Sequence, residues 1–370
     1  MSTKLALVSI NVVTFNAKPY IQTALKSIKA QTYPHIEVNI LDNNSQDGTP
    51  EIIDTILNDL KLKAINYKLK ANTGFAKGHN ILIRKSRGEY VLLLNQDAWL
   101  DKEYVSRALE IFGQDDTIAA IQPKIYRYSF AAGAVVARDG KAVIDATGLA
   151  ILKNRRVIAR GQGQTDNGQF DNQEEVFGAD GAVPIYRRMA LEDVALPLSN
   201  PPSRGASADL RTSTNSQTHQ GVLKEYFDED FFMYKEDVDL SWRLRLYGWN
   251  ILYSPRVIAY HARGSGESAS RKYSEIIQER RHISPLAKSL SWRNQRLMQI
   301  KDELPGLYVR HFPFILGKEL ASFLYILFFE RYALRSMREF FTLLPNALRK
   351  RKIIMQHIAI SRKQLTHWFQ

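Results

Sequence analysis

The sequence predicts an α/β protein built on a doubly wound sheet and followed by a helical C-terminal region. Three observations carry this expectation. Short apolar runs of β type alternate with amphipathic helical stretches up to residue 95. The carboxyl ends of all four runs are polar and rich in Asn or Asp, and α/β sheets take their ligands at those ends. From residue 274 the pattern becomes helical, and the charge there is strongly basic.

Each element has a local reason. Residues 5–14 read as a strand, 20–30 as a helix, 36–41 as a strand and 50–60 as a helix opened by Pro50. Residues 64–69 form the third strand, 76–86 the third helix and 90–94 a strand apolar enough to be buried on both faces. After a further run at 118–121, residues 123–185 hold more Gly and only short β-like runs, which predicts an antiparallel or mixed extension of the sheet. Residues 199–221 contain almost no apolar side chain and predict a mobile loop. Residues 235–247 predict a helix, with Val238, Trp242 and Leu246 in one row and Leu240, Leu244 and Tyr247 in the next. Gly248 ends that helix, and residues 251–260 return as a strand. Further helices are expected to break near Pro285, Pro305, Pro313 and Pro345.

Composition narrows the function classes. The 370 residues are 45% hydrophobic and 24% charged, which supports a sizeable core and excludes overall disorder. Net charge is +13, and residues 262–370 hold 20 Lys and Arg against 8 Asp and Glu. A nearly neutral body thus carries a basic tail. The absence of cysteine excludes disulfides, thiol catalysis and a sulfur-ligated zinc site. The opening residues lack a basic leader and a cleavage site, so no export signal is expected. The most apolar window, 321–329, is nine residues long between charged flanks, so no bilayer-spanning helix is expected.

Four polar elements carry candidate chemistry. The run from Asp42 through Asn43, Asn44 and Ser45 to Gly48 is either a capped turn or the edge of a nucleotide site; with no G-x-G-x-x-G after the first strand, a mononucleotide fits better than a dinucleotide. Asn95-Gln96-Asp97 puts a carboxylate at the mouth of a buried strand, where it could hold a divalent cation bridging to phosphates. Residues 228–239 pack six carboxylates around Phe231, Phe232, Met233 and Tyr234. Glu236 and Asp237 in that run fall in a first helical turn, where acids either cap the helix or accept a proton from an alcohol. His261, ending a strand, is either structural or a partner of Asp97 in a mixed oxygen and nitrogen metal site.

In this order these elements resemble family 2 inverting glycosyltransferases of the GT-A fold, particularly bacterial rhamnosyltransferase-like members. The resemblance covers residues 5 to about 300. It rests on Val13 to Asn16, Asp42 to Gly48, Asn72 to Asn80, Asn95 to Asp97, Gly178 to Ala182 and Glu236 to Arg243. It implies a Rossmann-like mixed sheet with residues 1–270 catalytic: 1–122 for the nucleotide, 123–270 for the acceptor. Residues 271–370 would form a basic, amphipathic membrane-association region. Thr14, Asn16, Asp42, Asn72, Gly74, Asn80 and Asn95 would bind the donor, Asp180 and Trp242 the acceptor, and Asp97 and His261 a Mg²⁺ or Mn²⁺ ion. Asp237 would be the base, with Glu236 beside it. Asn95 stands where the family's D-x-D element usually has its first Asp.

The expected reaction is a single inverting displacement of a nucleoside diphosphate by an acceptor hydroxyl. Taken alone, the sequence leaves open a retaining route through Asp180, which the resemblance disfavours. The implied donor is a dTDP- or UDP-linked sugar, rhamnose preferred, and the implied acceptor a polyprenyl-diphosphate-linked glycan at the cytoplasmic face of an anionic membrane. Short apolar helices edged with Lys and Arg suit such a surface, ordinary packing against the body being the alternative. No nucleic-acid partner is expected, because no recognition module accompanies the charge. A nucleotidyltransferase and a noncatalytic glycan-binding scaffold on the same fold are the rival readings.

Overall fold

The computed structural model describes residues 5–198, 223–263, 270 and 272–370; the expected loop at 199–221 lies outside them. β1 (Val8–Thr14), α1 (Ile21–Lys29), β2 (Ile36–Asp42), α2 (Thr49–Leu60), β3 (Ile65–Lys68), α3 (Gly74–Lys85) and β4 (Tyr90–Asn95) follow in the predicted order. β3, β2, β1 and β4 pair in parallel, in that spatial order. Alternation along β1 explains its place at the centre. Val8, Ile10 and Val12 enter one core. Asn11, also fully buried, accepts at its side-chain oxygen from Asn39 Nδ2 of β2 (3.1 Å) and from Ser86 Oγ just after α3 (2.9 Å), so that oxygen is satisfied.

β5 (Ala98–Leu100), α4 (Tyr104–Phe112) and β6 (Ile118–Ser129) come next. The strand Ile185–Arg187 inserts antiparallel between β4 and β6, and the strand Asn250–His261 runs parallel to β6, so the sheet is mixed as expected. β5 pairs antiparallel with the end of that last strand, Ala98 opposite His261. This register places the Asn95-Gln96-Asp97 turn beside the histidine.

α5 (Arg188–Asp193) and α6 (Glu236–Leu246) precede the last strand, and α7 (Tyr273–Arg280), α8 (Pro285–Asp302), α9 (Pro305–Phe329), α10 (Leu334–Gln356) and α11 (Arg362–Thr366) follow it. Pro285 and Pro305 open helices, but Pro313 and Pro345 lie inside α9 and α10, contrary to expectation. Packing of the flanking turns explains their tolerance: Leu307, His311 and Ile315 are buried around Pro313, and Ala347 and Lys350 follow Pro345 into the interior. The expectation that no helix is long enough to span a bilayer is likewise overturned. α9 runs unbroken for 25 residues and is apolar enough by length and composition. Lys318 and Glu319, the charged pair ahead of the 321–329 window, pair with each other, and Glu319 also pairs with Arg296.

The expected division at 270/271 is not a division of packing. Trp242 of α6 shares one core with Met298 of α8, Leu307 of α9, Ile354 of α10 and Phe369. The buried Lys350 of α10 bonds Glu225 (2.7 Å) and Asp228 (2.5 Å), and the buried Lys301 of α8 bonds Asp228 and Asp239. The C-terminal helices therefore complete the interior of the body.

Candidate active site

Two groups of the expected residues form separate clusters. At the carboxyl ends of β1 and β2, Asp42 accepts from Thr14 Oγ1 (3.1 Å), Ser45 N (2.9 Å) and Ser45 Oγ (2.5 Å). Asn16 closes the same turn, its backbone N–H donating to Ser45 Oγ and its side chain accepting from Gln46 N. Next to it, Asn43 accepts from Thr73 N (2.8 Å), and Asn72 accepts from Gly74 N (2.9 Å) at the start of α3.

The second cluster surrounds a cleft of about 320 Å³ whose walls include Asn95, Asp97, Asp180, Glu236, Asp237 and His261. Four chain segments converge there: the end of β4, the turn at 180–182, the first turn of α6 and the end of the last strand. Asp237, half-buried, accepts from Gly181 N (3.1 Å) and Val238 N (2.8 Å). Burial and then the neighbouring Asp180 push its carboxyl up to about 6. Glu236 is more deeply buried, and burial plus Asp237 push it up to about 8; its Oε2 has no hydrogen-bond partner. At neutral pH Glu236 thus keeps its proton, and of the two carboxyls Asp237 is the one ionised and able to accept a proton.

His261 has Nδ1 against Asp145 (2.9 Å) and Nε2 facing Asp97 (3.3 Å). Burial opposes its charge, yet the bonds to Asp145 and Asp97 hold it up to about 10. A carboxylate behind the distal nitrogen is the usual support of a metal-ligating imidazole. Nε2 and Asp97 form a donor pair that a cation satisfies, and among the described residues no third His, Asp or Glu completes a metal site. Once the imidazole has given up its proton, that donor set would suit a Mg²⁺ or Mn²⁺ ion.

Two expectations need correction, and a third residue, Gly74, has a structural role of its own. Trp242 is fully buried, its ring 6.0 Å from Phe177 and 5.8 Å from Phe369, so it is a core residue and meets no acceptor. Asn80 is also fully buried, with both ends of its amide used: it accepts from Tyr226 N and Phe227 N and donates to Phe227 O and Glu229. It clamps the chain leading to the site and leaves no group for a donor. Gly74 is needed for a protein contact, because at φ +83° a Cβ would lie 2.4 Å from the Phe232 carbonyl, which accepts from Ala76 N at the start of α3. Gly74→Ala is expected to cost at least about 1–3 kcal/mol from backbone strain alone and to lower activity by displacing residues 232–235. Urea unfolding and steady-state rates would measure both, and a wild-type midpoint would refute the contact argument.

Sequence reasoning missed Asp145 and Arg263. Arg263 bonds Asp145 (2.9 Å) and Asp180 (2.7 Å), joining the histidine to the Asp180 side of the cleft. Arg263 stands two residues past His261, the one available signal; nothing local marked Asp145. Also unforeseen was the strained chain leading to Glu236 and Asp237. Phe232, Tyr234 and Lys235 all have positive φ (64°, 72° and 74°), held by Asn294 of α8 donating to the carbonyls of Phe231, Met233 and Tyr234.

Comparison with known proteins agrees with this architecture. The family described as Glycosyl transferase family 2 matches residues 9–194. The chain is 24% identical over 248 residues to a poly-beta-1,6-N-acetyl-D-glucosamine synthase of Staphylococcus epidermidis, covering 66% of this chain and 47% of that protein. It is 33% identical over 103 residues to the poly(ribitol-phosphate) beta-N-acetylglucosaminyltransferase TarS of Staphylococcus aureus, covering 27% and 18%. The chain thus spans less than half the length of these curated relatives. A crystal structure of S. aureus TarS 1-349 superposes with a TM-score of 0.52 at 17% identity, over 98% of this chain and 89% of that one, a likeness of fold.

Proposed function

We propose, from the premise that this chain belongs to glycosyl transferase family 2, that it transfers a sugar from a nucleotide donor to a glycan hydroxyl with inversion. The observation that carries this reading is the convergence of Asn95, Asp97, Asp180, Asp237 and His261 on one cleft. Thr14, Asn16, Asp42 and Asn72 would hold the nucleoside end of a UDP- or dTDP-linked sugar, and Asp97 and His261 would hold the metal. The ion would neutralise charge growing on the departing diphosphate. Asp237 takes the acceptor proton as the hydroxyl oxygen bonds to the anomeric carbon and the bond from that carbon to the diphosphate breaks. Asp180, tied to Arg263, orients the acceptor. A noncatalytic scaffold would have no use for a carboxylate with an elevated pKa beside that donor pair.

Nucleotide sugars tested for thermal stabilisation with and without Mn²⁺ check the reading. Both N-acetylglucosamine and rhamnose donors belong in the panel: rhamnose was the sequence preference, but the relatives' names are those of N-acetylglucosamine enzymes. Asp97→Ala and His261→Ala are each expected to raise the Mn²⁺ concentration needed for half-maximal rate at least tenfold. An unchanged Mn²⁺ titration in either variant removes that residue from the metal site.

The reading extends to the membrane. α9 exposes Val309, Phe312, Phe314, Leu320, Leu324 and Phe328, while Leu307, His311, Ile315 and Ile326 are buried. A helix buried near both ends lies along the body, so we place its apolar face in the interface of a cytoplasmic leaflet as a peripheral contact. Arg310, Arg331, Arg335 and Arg338 are exposed near it, each worth about 1 kcal/mol against anionic lipid. The full chain is expected to float with anionic vesicles and release partly in high salt. Failure to bind them at low salt would end the membrane assignment.

A further inference from the structure

Beside the cleft lies a larger cavity of about 870 Å³, which shares Ala159 and Arg263 with it. Its walls carry four arginines: Arg127, Arg138, Arg160 and Arg263. Two are satisfied by the protein. Arg263 bonds Asp145 and Asp180, while Arg160 bonds Glu174 and stacks over Phe170 at 4.6 Å. The other two are not satisfied in this way. Arg127 Nε is buried without a hydrogen-bond partner, and its nearest carboxylate, Asp145 at 3.9 Å, already serves both Arg263 and His261. Arg138 is exposed on the hairpin between 137 and 142 and makes a long 3.5 Å contact with the Gly163 carbonyl. Glu275 and Glu279 also line the cavity, and Glu275 pairs with Lys272.

We propose that this cavity binds a phosphate group of the acceptor, with Arg127 and Arg138 as its phosphate-binding residues. Guanidinium groups suit phosphate because two parallel N–H donors match two oxygens, and a buried, unpartnered Nε gains most from such an acceptor. The route to the reaction centre is continuous. Arg263 spans from Asp145, beside Arg127, to Asp180, and the next residue, Gly181, donates to Asp237. An acceptor held by its phosphate in the cavity therefore presents its glycan toward the base. The inference rests on the glycosyltransferase reading and deepens it, since it makes the acceptor a phosphate-bearing glycan.

The test uses the full chain with Mn²⁺ and saturating UDP or dTDP, whichever the donor panel selects, so that the donor site is filled. Inorganic pyrophosphate and a short-chain polyprenyl diphosphate are then titrated calorimetrically. Wild type is expected to bind both, and Arg127→Gln and Arg138→Gln each to weaken binding at least tenfold while nucleotide affinity stays within twofold. Tighter binding of the polyprenyl compound assigns the phosphate to a lipid-linked acceptor, and equal affinities assign it to a phosphate-bearing acceptor whose carrier the site does not read; either upholds the site. If Arg127→Gln melts early, Arg138→Gln on the exposed hairpin decides by itself. Unchanged phosphate affinity with intact nucleotide binding overturns this inference alone, whereas absence of nucleotide binding in wild type overturns the glycosyltransferase reading on which it rests.

Discussion

Replacing Asp237 with Asn is expected to cut transfer by roughly 10²–10⁴-fold, the usual contribution of a positioned general base, and to leave nucleotide-sugar affinity within a few fold. The amide keeps one oxygen, enough to accept from either Gly181 N or Val238 N, so the turn at the start of α6 survives. What it cannot do is take a proton. Because the loss falls on a group that acts in the transition state, kcat and kcat/KM should drop together while donor KM stays nearly constant. The pH profile gives an independent check. Asp237 is active when ionised and its carboxyl is pushed up to about 6, so kcat/KM should rise as pH increases through that region and level off above it. Glu236→Gln is the control: that carboxyl, pushed up to about 8, already carries a proton at neutral pH, and the isosteric amide should keep most of the rate. Wild-type turnover in Asp237→Asn, or a Glu236→Gln loss of equal size, would reject the assignment.

Lys350→Met should destabilise the whole chain by about 3–5 kcal/mol, the cost of leaving a buried charge without its partner. Lys350 is 1% exposed and bonds Glu225, Asp228 and Asp230, of which Glu225 and Asp228 are themselves buried. Lys301 still faces Asp228 in the variant, but Glu225 loses its nearest cation. Burial and then Asp228 already raise Glu225 to about 7, so the variant should protonate it and lose stability most at alkaline pH. Urea unfolding at pH 6 and pH 9 measures both effects. A loss below 1 kcal/mol at both would mean that α10 is an appendage. By the same argument, truncation before Pro305 removes Lys350, Ile354 and Phe369 together and should yield an unfolded or aggregating body.

The local pattern made much of this legible. The βα alternation, the apolar run of β4 and the helix after Lys235 were readable because each is fixed by neighbours a few residues away. Asp97, Asp180, Glu236, Asp237 and His261 were also chosen from the sequence, and they line one cleft. Asn80 and Trp242 were misassigned for one shared reason: a polar or aromatic side chain inside a motif looks the same whether it faces a ligand or the interior. Asn80 binds chain more than 140 residues away, and Trp242 packs on Phe369, so their roles depend on contacts with no local trace.

The sequence by itself determined the order of elements, the doubly wound half of the sheet and the types of residue available for proton transfer and cation binding. These follow from periodicity and from the polar ends of strands, properties of short segments. Only the tertiary structure decided which carboxyl is ionised at neutral pH, because the protonation of Glu236 and Asp237 depends on their burial and on Asp180 from a distant turn. It also decided that the basic tail is partly interior: Lys301 and Lys350 look like solvent charges in sequence, yet they neutralise the buried acids Asp239 and Asp228. A charge is worth burying when opposite charges and hydrogen bonds meet it there, and that meeting is set by the folded chain as a whole.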